Sequence, residues 1–269
     1  MRCDSADLNA IDGLADSARV AFALISVLAF CVHYPNPAAA HDEETQDVVP
    51  DFLLQQARVT IGFRGGWAFN RSNSGIHDFL ETHLTLEDSD FDGPAFTLDV
   101  GVRTTSWMDV VFGFEVSGRR SKSHFRHFIE DNGDLIDQKT TLTQVPLTTS
   151  LKLYPLGRGH QVGKYAWIRT TVVPYVGGGI GATWFKLTQK GDFVDFVDHT
   201  IFEAKLRTDG WTFAQHAFVG LEVEITRNIG AVIEGRYYWA RANVDQDFVN
   251  FGSIDLNGAR VMVGVNVWL

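Results

Sequence analysis

The feature that most constrains the fold is a strict two-residue period, clearest in the stretch ARVMVGVNVWL at residues 259–269. One set of alternate positions is apolar and the other is mixed: Val261, Val263, Val265, Val267 and Leu269 against Arg260, Met262, Gly264, Asn266 and Trp268. Successive side chains of a β-strand point to opposite faces, so the pattern predicts a strand with one apolar face. A stretch this regular is expected to pair within a sheet rather than to fray.

Seven other stretches share this period, and each predicts a strand. They are residues 58–70, 95–103, 109–119, 140–153, 172–185, 211–226 and 231–240. Long polar connections at residues 71–94, 120–139, 186–210 and 241–258 alternate with connections that are short, except at residues 154–171. An even number of antiparallel strands with short turns at one end and long loops at the other is typical of a membrane barrel. The sequence therefore predicts an all-β fold, an eight-stranded antiparallel up-and-down transmembrane β-barrel.

The mixed faces of the predicted strands decide what such a barrel encloses. They carry ten charged residues of balanced sign: Arg64, Asp99, Arg103, Glu115, Lys152, Glu222, Glu224, Glu234, Arg236 and Arg260. An eight-stranded barrel is just wide enough for side chains to fill, and isolated buried charges are costly. We therefore expect a charge network inside the barrel, and a narrow hydrated path or gate is the functional alternative.

Aromatic residues cluster at the ends of the predicted strands, as they do in the two interfacial girdles of a membrane barrel. The set at the long-loop end is Trp67, Phe69, Trp184, Phe185, Trp211, Phe213, Tyr237 and Trp239. The set at the other end is Trp107, Tyr154, Trp167 and Tyr175. A secreted lipocalin-like barrel, with its apolar faces turned inward, is the alternative fold.

The first 40 residues are interpreted as an N-terminal leader that contains a signal peptide. Arg19 precedes the apolar run VAFALISVLAFCV, prolines and small residues follow it, and cleavage is expected after Ala40. Residues 41–57 are then a polar periplasmic segment, and residues 58–269 form the barrel domain. Both cysteines, Cys3 and Cys31, lie in the leader, so the mature chain lacks the residues for a disulfide framework or a thiolate metal site.

Motifs for cofactor binding, metal binding or catalysis are weak. Gly177, Gly179 and Ala182 match the spacing of a dinucleotide-binding fingerprint, but β-rich sequence follows where that motif requires a helix. We interpret these glycines as leaving room for opposing interior side chains. The histidine spacings fit no compact zinc cluster, and His216 is expected to pack inside the barrel. We predict no cofactor, no metal site and no catalytic residues.

Two segments of the sequence resemble a known family. They are VPLTTSLKLYP at residues 145–155 and VPYVGGGIG at residues 173–181. They resemble the small eight-stranded outer-membrane β-barrel superfamily of Gram-negative bacteria, especially OmpW-like and porin-family proteins. The resemblance extends over residues 58–269 and implies a location in the bacterial outer membrane. Members of this family usually end in phenylalanine, where this sequence has Leu269.

The resemblance leaves several functions open. The leading hypothesis is a structural or surface-interaction barrel without an open pore. The alternative is a passive channel for small hydrophobic solutes, as in OmpW-like proteins, and the third is an outer-membrane lipid-modifying enzyme. Expected partners are outer-membrane lipid and lipopolysaccharide, the assembly machinery that reads the C-terminal strand and, for the channel alternative, a small hydrophobic solute. The formal net charge of −10 argues against nucleic acid as a partner.

Overall fold

The alternating stretches form the eight longest strands in the part of the chain that the structure describes. The computed structural model describes residues 57–71, 85, 88–129, 135–162, 166–194, 201–244, 247–248 and 252–269. The strands are β1 (Val59–Asn70), β2 (Gly93–Arg103), β3 (Met108–Ile129), β4 (Leu135–Leu153), β5 (Gly159–Val162), β6 (Ala166–Arg169), β7 (Val172–Val194), β8 (Ile201–Glu224), β9 (Ile229–Asn243), β10 (Ser253–Asp255) and β11 (Gly258–Trp268). A short 3-10 helix at Asp88–Phe91 precedes β2.

Eight of these strands close into a ring. Its order is β1–β2–β3–β4–β7–β8–β9–β11, and β11 pairs with β1 to complete it. Every neighbouring pair is antiparallel. At the closing seam, Thr60 lies opposite Trp268 and Asn70 lies opposite Gly258. The predicted eight-stranded antiparallel barrel is therefore confirmed.

The two ends of the barrel differ in their connections. The short-turn end holds the start of β1, the end of β11 and the tight β2–β3 and β8–β9 connections. The connection from β4 to β7 is also at this end and contains the two-stranded hairpin β5–β6. At the opposite end, which we call the long-connection end, β10 pairs with the last residues of β9.

Two predicted loops at the long-connection end are wrong, because their residues are mostly strand. Strands β3 and β4 run as a hairpin through most of residues 120–139, and β7 and β8 do the same through residues 186–210. Along β7 the outward positions change from Ile180 and Trp184 to Lys186 and Lys190. The two-residue period continues, but its apolar and polar faces are exchanged, and this exchange gives the segments the polarity of loops.

The outer wall of the ring is apolar. Exposed side chains include Phe63, Phe96, Phe112, Ile180, Val219, Ile233 and Val263, whose exposed fractions lie between 50% and 59%. Aromatic residues on this wall near the long-connection end are Trp67, Phe69, Trp211, Phe213 and Trp239. Four residues predicted to lie in the girdles are instead buried: Phe185, Tyr154, Trp167 and Tyr175. Phe185 and Tyr175 point into the barrel, and the hairpin connection folds Tyr154 and Trp167 inward.

Among the described residues, no helix is long and apolar enough to cross a membrane. The predicted leader at residues 1–40 and all but the last residue of the polar segment at residues 41–57 lie outside the described residues. The predicted loop at residues 71–94 is described only at residues 71, 85 and 88–94. The domain boundaries proposed from the sequence therefore stay predictions.

Candidate functional site

The inward faces of the strands bring most of the predicted charges together inside the ring. Eight of the ten residues expose no more than 5% of their surface: Arg64, Asp99, Glu115, Lys152, Glu222, Glu234, Arg236 and Arg260. The other two, Arg103 and Glu224, lie at strand ends near the short-turn end and are half-buried. Four acids and four bases therefore share the enclosed volume, and their contacts form three connected groups.

The first group lies nearest the short-turn end and contains Lys152 and Glu222. The Lys152 Nζ donates to Oε1 of Glu222 at 2.5 Å, and the Asn266 side-chain amide donates to the same oxygen at 2.8 Å. The ammonium also lies 3.6 Å from the centroid of the Tyr175 ring. The carboxylate and the aromatic face both favour the charged form of this lysine and so offset part of the cost of burying it.

The second group surrounds Glu234 near the middle of the barrel. The Arg236 guanidinium donates to Oε1 of Glu234 at 2.7 Å and 3.0 Å, and Tyr175 donates to Oε2 at 2.8 Å. Arg64 forms an ion pair with Asp99 and lies 3.9 Å from Glu234. Because Arg236 also lies 3.7 Å from Asp99, two arginines and two acids neutralise one another here.

The third group centres on Glu115 and lies toward the long-connection end. Arg260 donates from Nε to Glu115 at 3.0 Å and from Nη2 to Gln144 at 3.0 Å. Its guanidinium lies 4.7 Å from the ring centroid of Tyr238, and the Tyr238 hydroxyl donates to Glu115 at 3.2 Å. Arg236 donates to the same hydroxyl at 3.1 Å, so the second and third groups form one network.

A small cavity lies beside the first two groups. Its volume, measured as the space open to the centre of a water molecule, is about 20 Å³. A polar cavity of this size admits roughly one or two water molecules. Polar residues on its wall include Arg64, Asp99, Asp109, Lys152 and Asn266. One carboxylate oxygen each of Asp99 and Asp109 and the amide oxygen of Asn266 have no hydrogen-bond partner within the protein. This cavity is thus small and lined largely by polar groups.

The short-turn end of the interior is closed by residues that the sequence reading missed. Arg158 precedes β5, is 4% exposed, and donates to Asp109 at 2.8 Å and to the carbonyl of Thr105 at 3.1 Å. Its guanidinium lies 4.2 Å from the centroid of the Tyr154 ring. Burial raises the pKa of the Tyr154 hydroxyl well above its ordinary value, so this hydroxyl remains a donor to Asp109.

The hairpin β5–β6 is held against this end by further contacts. Trp167 is 7% exposed, and the Arg169 guanidinium lies 3.2 Å from the ring centroid of Trp268 on β11. The turn that leads into the hairpin has Pro155 in its second position and Gly157 in its fourth, and Gly157 adopts a φ of 72° that suits glycine. In the sequence, Pro155 and Gly157 indicate this turn. They do not indicate that Arg158 points inward.

Glycines of β7 make room for a hydrogen bond that links β4 to β8 along the inner face of the barrel. Gly179 lies between Ser150 on β4 and His216 on β8. A Cβ at position 179 would come 2.6 Å from the Ser150 Oγ, which instead lies 2.8 Å from Nε2 of His216. The glycine run therefore serves interior packing, and strands, not a helix, follow and surround it. His216 is 3% exposed and stacks on Phe218, with 5.7 Å between the ring centroids.

The long-connection end of the interior is filled by apolar residues. We call this set the apolar cluster; none of its members is more than 7% exposed. They are Phe91, Ile136, Leu142, Phe185, Leu187, Ala214, Ala240, Ala242, Val244, Phe248, Ile254 and Leu256. The cluster lies beyond Arg260 on the long-connection side, where the 3-10 helix, β10 and the residues after β9 fold over the mouth of the ring.

The arrangement can hold charge and exclude solvent, but it offers little for chemistry. Within the part of the chain that the structure describes, no three histidine, cysteine or acidic side chains are placed to share a metal ion. Ser150 and His216 are in contact, yet Nδ1 of His216 has no hydrogen-bond partner in the protein. A nucleophilic serine and its histidine need a third group to orient the ring.

Comparison with solved structures shows resemblance to small outer-membrane proteins. Neisserial surface protein A matches with a TM-score of 0.43 and 9% identity, over 78% of this chain and 96% of that one. OprG of Pseudomonas aeruginosa matches with a TM-score of 0.44 and 14% identity, over 80% and 97%. Outer membrane protein W of E. coli matches with a TM-score of 0.36 and 16% identity, over 81% and 100%.

The family comparison covers nearly the whole sequence. No curated protein matches the chain significantly. The model of the family described as "Outer membrane protein beta-barrel domain" matches residues 22–266. The closed ring of eight antiparallel strands and the apolar outer wall are the features expected of such a protein. The chain belongs to this family of small β-barrels of the bacterial outer membrane.

Proposed function

We propose that this protein is a closed structural barrel that acts in the outer membrane through its surface, without an open pore or a catalytic site. The observation that carries this proposal is the filling of the interior from end to end. The hairpin β5–β6 covers the short-turn end, the charge network fills the middle, and the apolar cluster fills the long-connection end. An ion would have to displace buried side chains at each of these three levels.

The orientation of the barrel in the membrane follows from its connections. In bacterial outer-membrane barrels the short turns lie in the periplasm and the long connections lie outside the cell. We therefore infer that the short-turn end faces the periplasm and that the two long hairpins project from the cell surface. We further propose that residues 1–40 are a leader whose signal peptide directs export and is then cleaved.

Single-channel recording on the reconstituted full chain tests the closed-barrel proposal. We expect no steady conductance from the wild-type protein under conditions in which a large porin conducts. The variant Glu222→Gln/Arg236→Gln removes one acid and one base from the lumen, and Lys205→Gln is an outward-facing control. A steady wild-type conductance that the lumen variant abolishes and the control leaves intact would contradict the proposal.

Passive passage of small hydrophobic solutes is the second candidate, and the apolar cluster is the observation that favours it. Its residues lie where a solute from outside would first meet the interior. They are packed together, however, so passage requires them to separate. Uptake of a small apolar dye into liposomes that contain the protein measures this directly. Uptake that rises above that of empty liposomes, and rises further with Leu187→Ala, would favour the channel.

Lipid modification is the third candidate and rests on Ser150 and His216 alone. Both residues point into the lumen, whereas a lipid substrate would lie against the outer wall. Lipid A from cells that express the wild-type protein and from cells that express Ser150→Ala should therefore have identical acyl chains. A difference between their mass spectra would establish an enzyme.

A further inference from the structure

One fully buried base of the interior is supplied from outside the wall of the barrel. Arg158 lies in the connection between β4 and β7, yet it is only 4% exposed. The other fully buried bases of the interior belong to strands of the ring: Arg64, Lys152, Arg236 and Arg260. Within the part of the chain that the structure describes, neither β5 nor β6 pairs with a strand of the ring. The side chain of Arg158 can therefore leave the interior without breaking a strand pair of the wall.

The site that receives Arg158 offers three kinds of group that suit a guanidinium. We call it the latch pocket; its members are Asp109, Tyr154 and the backbone carbonyl of Thr105. Oδ2 of Asp109 accepts from Nη1 at 2.8 Å, and the Thr105 carbonyl accepts from Nη2 at 3.1 Å. The Tyr154 ring centroid lies 4.2 Å from the guanidinium carbon. A carboxylate, a carbonyl and an aromatic face favour a planar cation with several N–H donors over a compact ammonium.

Arg158 balances a surplus acid at this end of the interior. The eight fully buried residues of the charge network contain four acids and four bases, and Asp109, which is 2% exposed, is a further acid beside them. Oδ1 of Asp109 has no hydrogen-bond partner within the protein, and neither does Nε of Arg158. The pocket therefore keeps a negative charge and an unsatisfied oxygen when Arg158 leaves, and the tethered guanidinium does not use all of its donors while it is bound.

The charge left behind by Arg158 is not isolated. Arg103 on β2 lies opposite Asp109 and is half-buried. The Tyr154 hydroxyl donates to Oδ2 of the same carboxylate at 3.2 Å. A buried charge that keeps a nearby cation and a hydrogen-bond donor costs less than one that is left without either. Release of Arg158 is therefore compatible with an intact wall.

The hairpin that follows Arg158 is bonded internally, so it can move as one unit. The backbone N–H of Thr170 donates to the carbonyl of Arg158 at 3.0 Å and closes the base of the hairpin. A Cβ at position 159 would come 2.5 Å from the ring of Trp167, so this indole packs directly on the backbone of β5. Outside the latch pocket, the hairpin contacts the ring through Arg169 on Trp268. Arg158 is thus the charged contact that fixes this unit to the interior.

The latch pocket shares two of its walls with the cavity of the lumen. Asp109 and Tyr154 line both, and Ser150 lies on the cavity wall. The Tyr154 hydroxyl also lies 3.4 Å from Oε1 of Glu222. Removal of the Arg158 side chain therefore exposes a polar surface that continues into the lumen. The apolar cluster closes the opposite end of the interior with or without Arg158.

We propose that the latch pocket is a binding site for a guanidinium group at the periplasmic mouth of the barrel, and that Arg158 occupies it as a tethered ligand. A small guanidinium compound from the periplasm displaces Arg158 and undocks the hairpin. The barrel then has a vestibule that is open toward the periplasm and closed toward the outside. A tethered side chain acts at an effective concentration on the order of millimolar, so a free ligand above that concentration competes with it.

This site goes beyond the closed barrel proposed above and depends on the inferred orientation only for the compartment that supplies the ligand. It requires no conductance, because the apolar cluster stays in place when the hairpin undocks.

A single cysteine in the lumen reports whether the hairpin is docked. The sequence contains no cysteine after Cys31. The full chain with Cys3→Ser, Cys31→Ser and Ser150→Cys therefore carries one thiol, on the wall of the cavity. We call this the reporter chain. The rate at which a small water-soluble methanethiosulfonate modifies the thiol in detergent micelles measures access to the lumen.

Three changes to the reporter chain separate the latch pocket from the general charge of this end. Arg158→Ala empties the pocket, and Arg158→Ala/Asp109→Asn also removes its carboxylate. The matched control Arg58→Ala removes an exposed base at the same end of the barrel. The ligands are methylguanidinium and methylurea, which are similar in shape but differ in charge. Heat-modifiable gel migration verifies that each chain is folded in the presence of each ligand.

We expect Arg158→Ala to increase the modification rate about 10-fold or more, because a hydrogen bond to a charged group is worth at least about that factor. Arg58→Ala should stay within about two-fold of the reporter chain. Methylguanidinium should raise the rate of the reporter chain and lower that of Arg158→Ala, so that the two approach a common value. Methylurea should change neither, and methylguanidinium should have no effect on Arg158→Ala/Asp109→Asn.

Three results would overturn the proposal. A reporter chain that does not respond to methylguanidinium would make Arg158 a fixed structural partner of Asp109. Equal effects of methylguanidinium and methylurea, or an effect that survives Asp109→Asn, would exclude a guanidinium site. If Arg158→Ala does not fold, the response of the reporter chain to the two ligands decides alone. None of these rates measures conductance, so this test and that of the closed barrel fail separately.

Discussion

The short-turn half of the barrel interior is filled by ion pairs around Glu222 and Glu234, whereas the long-connection half is filled by the apolar cluster. Both halves are enclosed by the same strands, and the side chains that fill them are almost fully buried. In the charged half, each buried charge is stabilised by an opposite charge. Removal of one partner leaves the other charge buried without compensation, so the stability loss is large. The apolar half behaves like the core of a soluble protein, in which each side chain contributes by its volume.

Removal of one partner from the charged half should have the largest effect. Lys152→Met leaves the carboxylate of Glu222 buried with only neutral donors, and breaking such a pair costs about 3–5 kcal/mol. Unfolding in urea, followed by tryptophan fluorescence in detergent micelles, measures the loss. The double variant Lys152→Met/Glu222→Leu should be more stable than the single variant. Equal stability of the two variants would show that an unpaired Glu222 is not costly, and the charged half would then not differ from the apolar half in this respect.

Truncation in the apolar half should cost somewhat less and should not depend on charge. Leu187→Ala removes a side chain that is 2% exposed, and such deletions cost about 2–5 kcal/mol. The same urea unfolding should show that Leu187→Met, which conserves volume, loses less than about 1.5 kcal/mol. A loss for Leu187→Ala that disappears at high salt would mean that the two halves are not chemically distinct.

A charge on the outside of the wall should cost least of the three changes. Val263→Arg places a cation on the outward face, where the valine is 59% exposed, and such a change costs about 2–4 kcal/mol at the middle of the membrane. The control Val267→Arg, near the short-turn end, should cost about 0–1 kcal/mol. Comparison of unfolding in lipid bilayers would show whether depth sets the difference; equal costs would argue against a lipid-facing wall.

Much of the barrel could be predicted from the sequence because one physical signal, the two-residue period, specifies both strand and face. The same signal misled where its meaning changed. In β4, Leu142 points inward and Thr143 outward, the reverse of the polarity of Leu147 and Thr148 nearer the short-turn end. Where a strand extends beyond the lipid, its apolar side chains face the interior and its polar side chains face outward. A prediction that expects apolar residues on the outer face therefore assigns such a segment to a loop.

The closure of the two ends could not be predicted for a different reason. Arg158 lies in a connection whose residues show no period, and its contact with Asp109 joins segments that the sequence places far apart. Similarly, the contact between Ser150 and His216 depends on the register of three strands, which a single sequence does not specify. The two-residue period therefore predicts the strands that form the wall of the barrel. The contacts among the side chains inside it depend on how the strands pair, which the period does not specify.

The seam between β1 and β11 has a consequence for the kinetics of assembly. It joins the first and the last strands of the ring, with Thr60 opposite Trp268. Its contacts therefore have the greatest sequence separation among the strand pairs of the described residues and are expected to form late. Until they form, the sheet has two free edges, which attract other chains in water and cannot be accommodated in hydrocarbon. Insertion and closure must therefore be coupled, and a variant that weakens the seam should accumulate as an aggregating intermediate before it loses stability as a finished barrel.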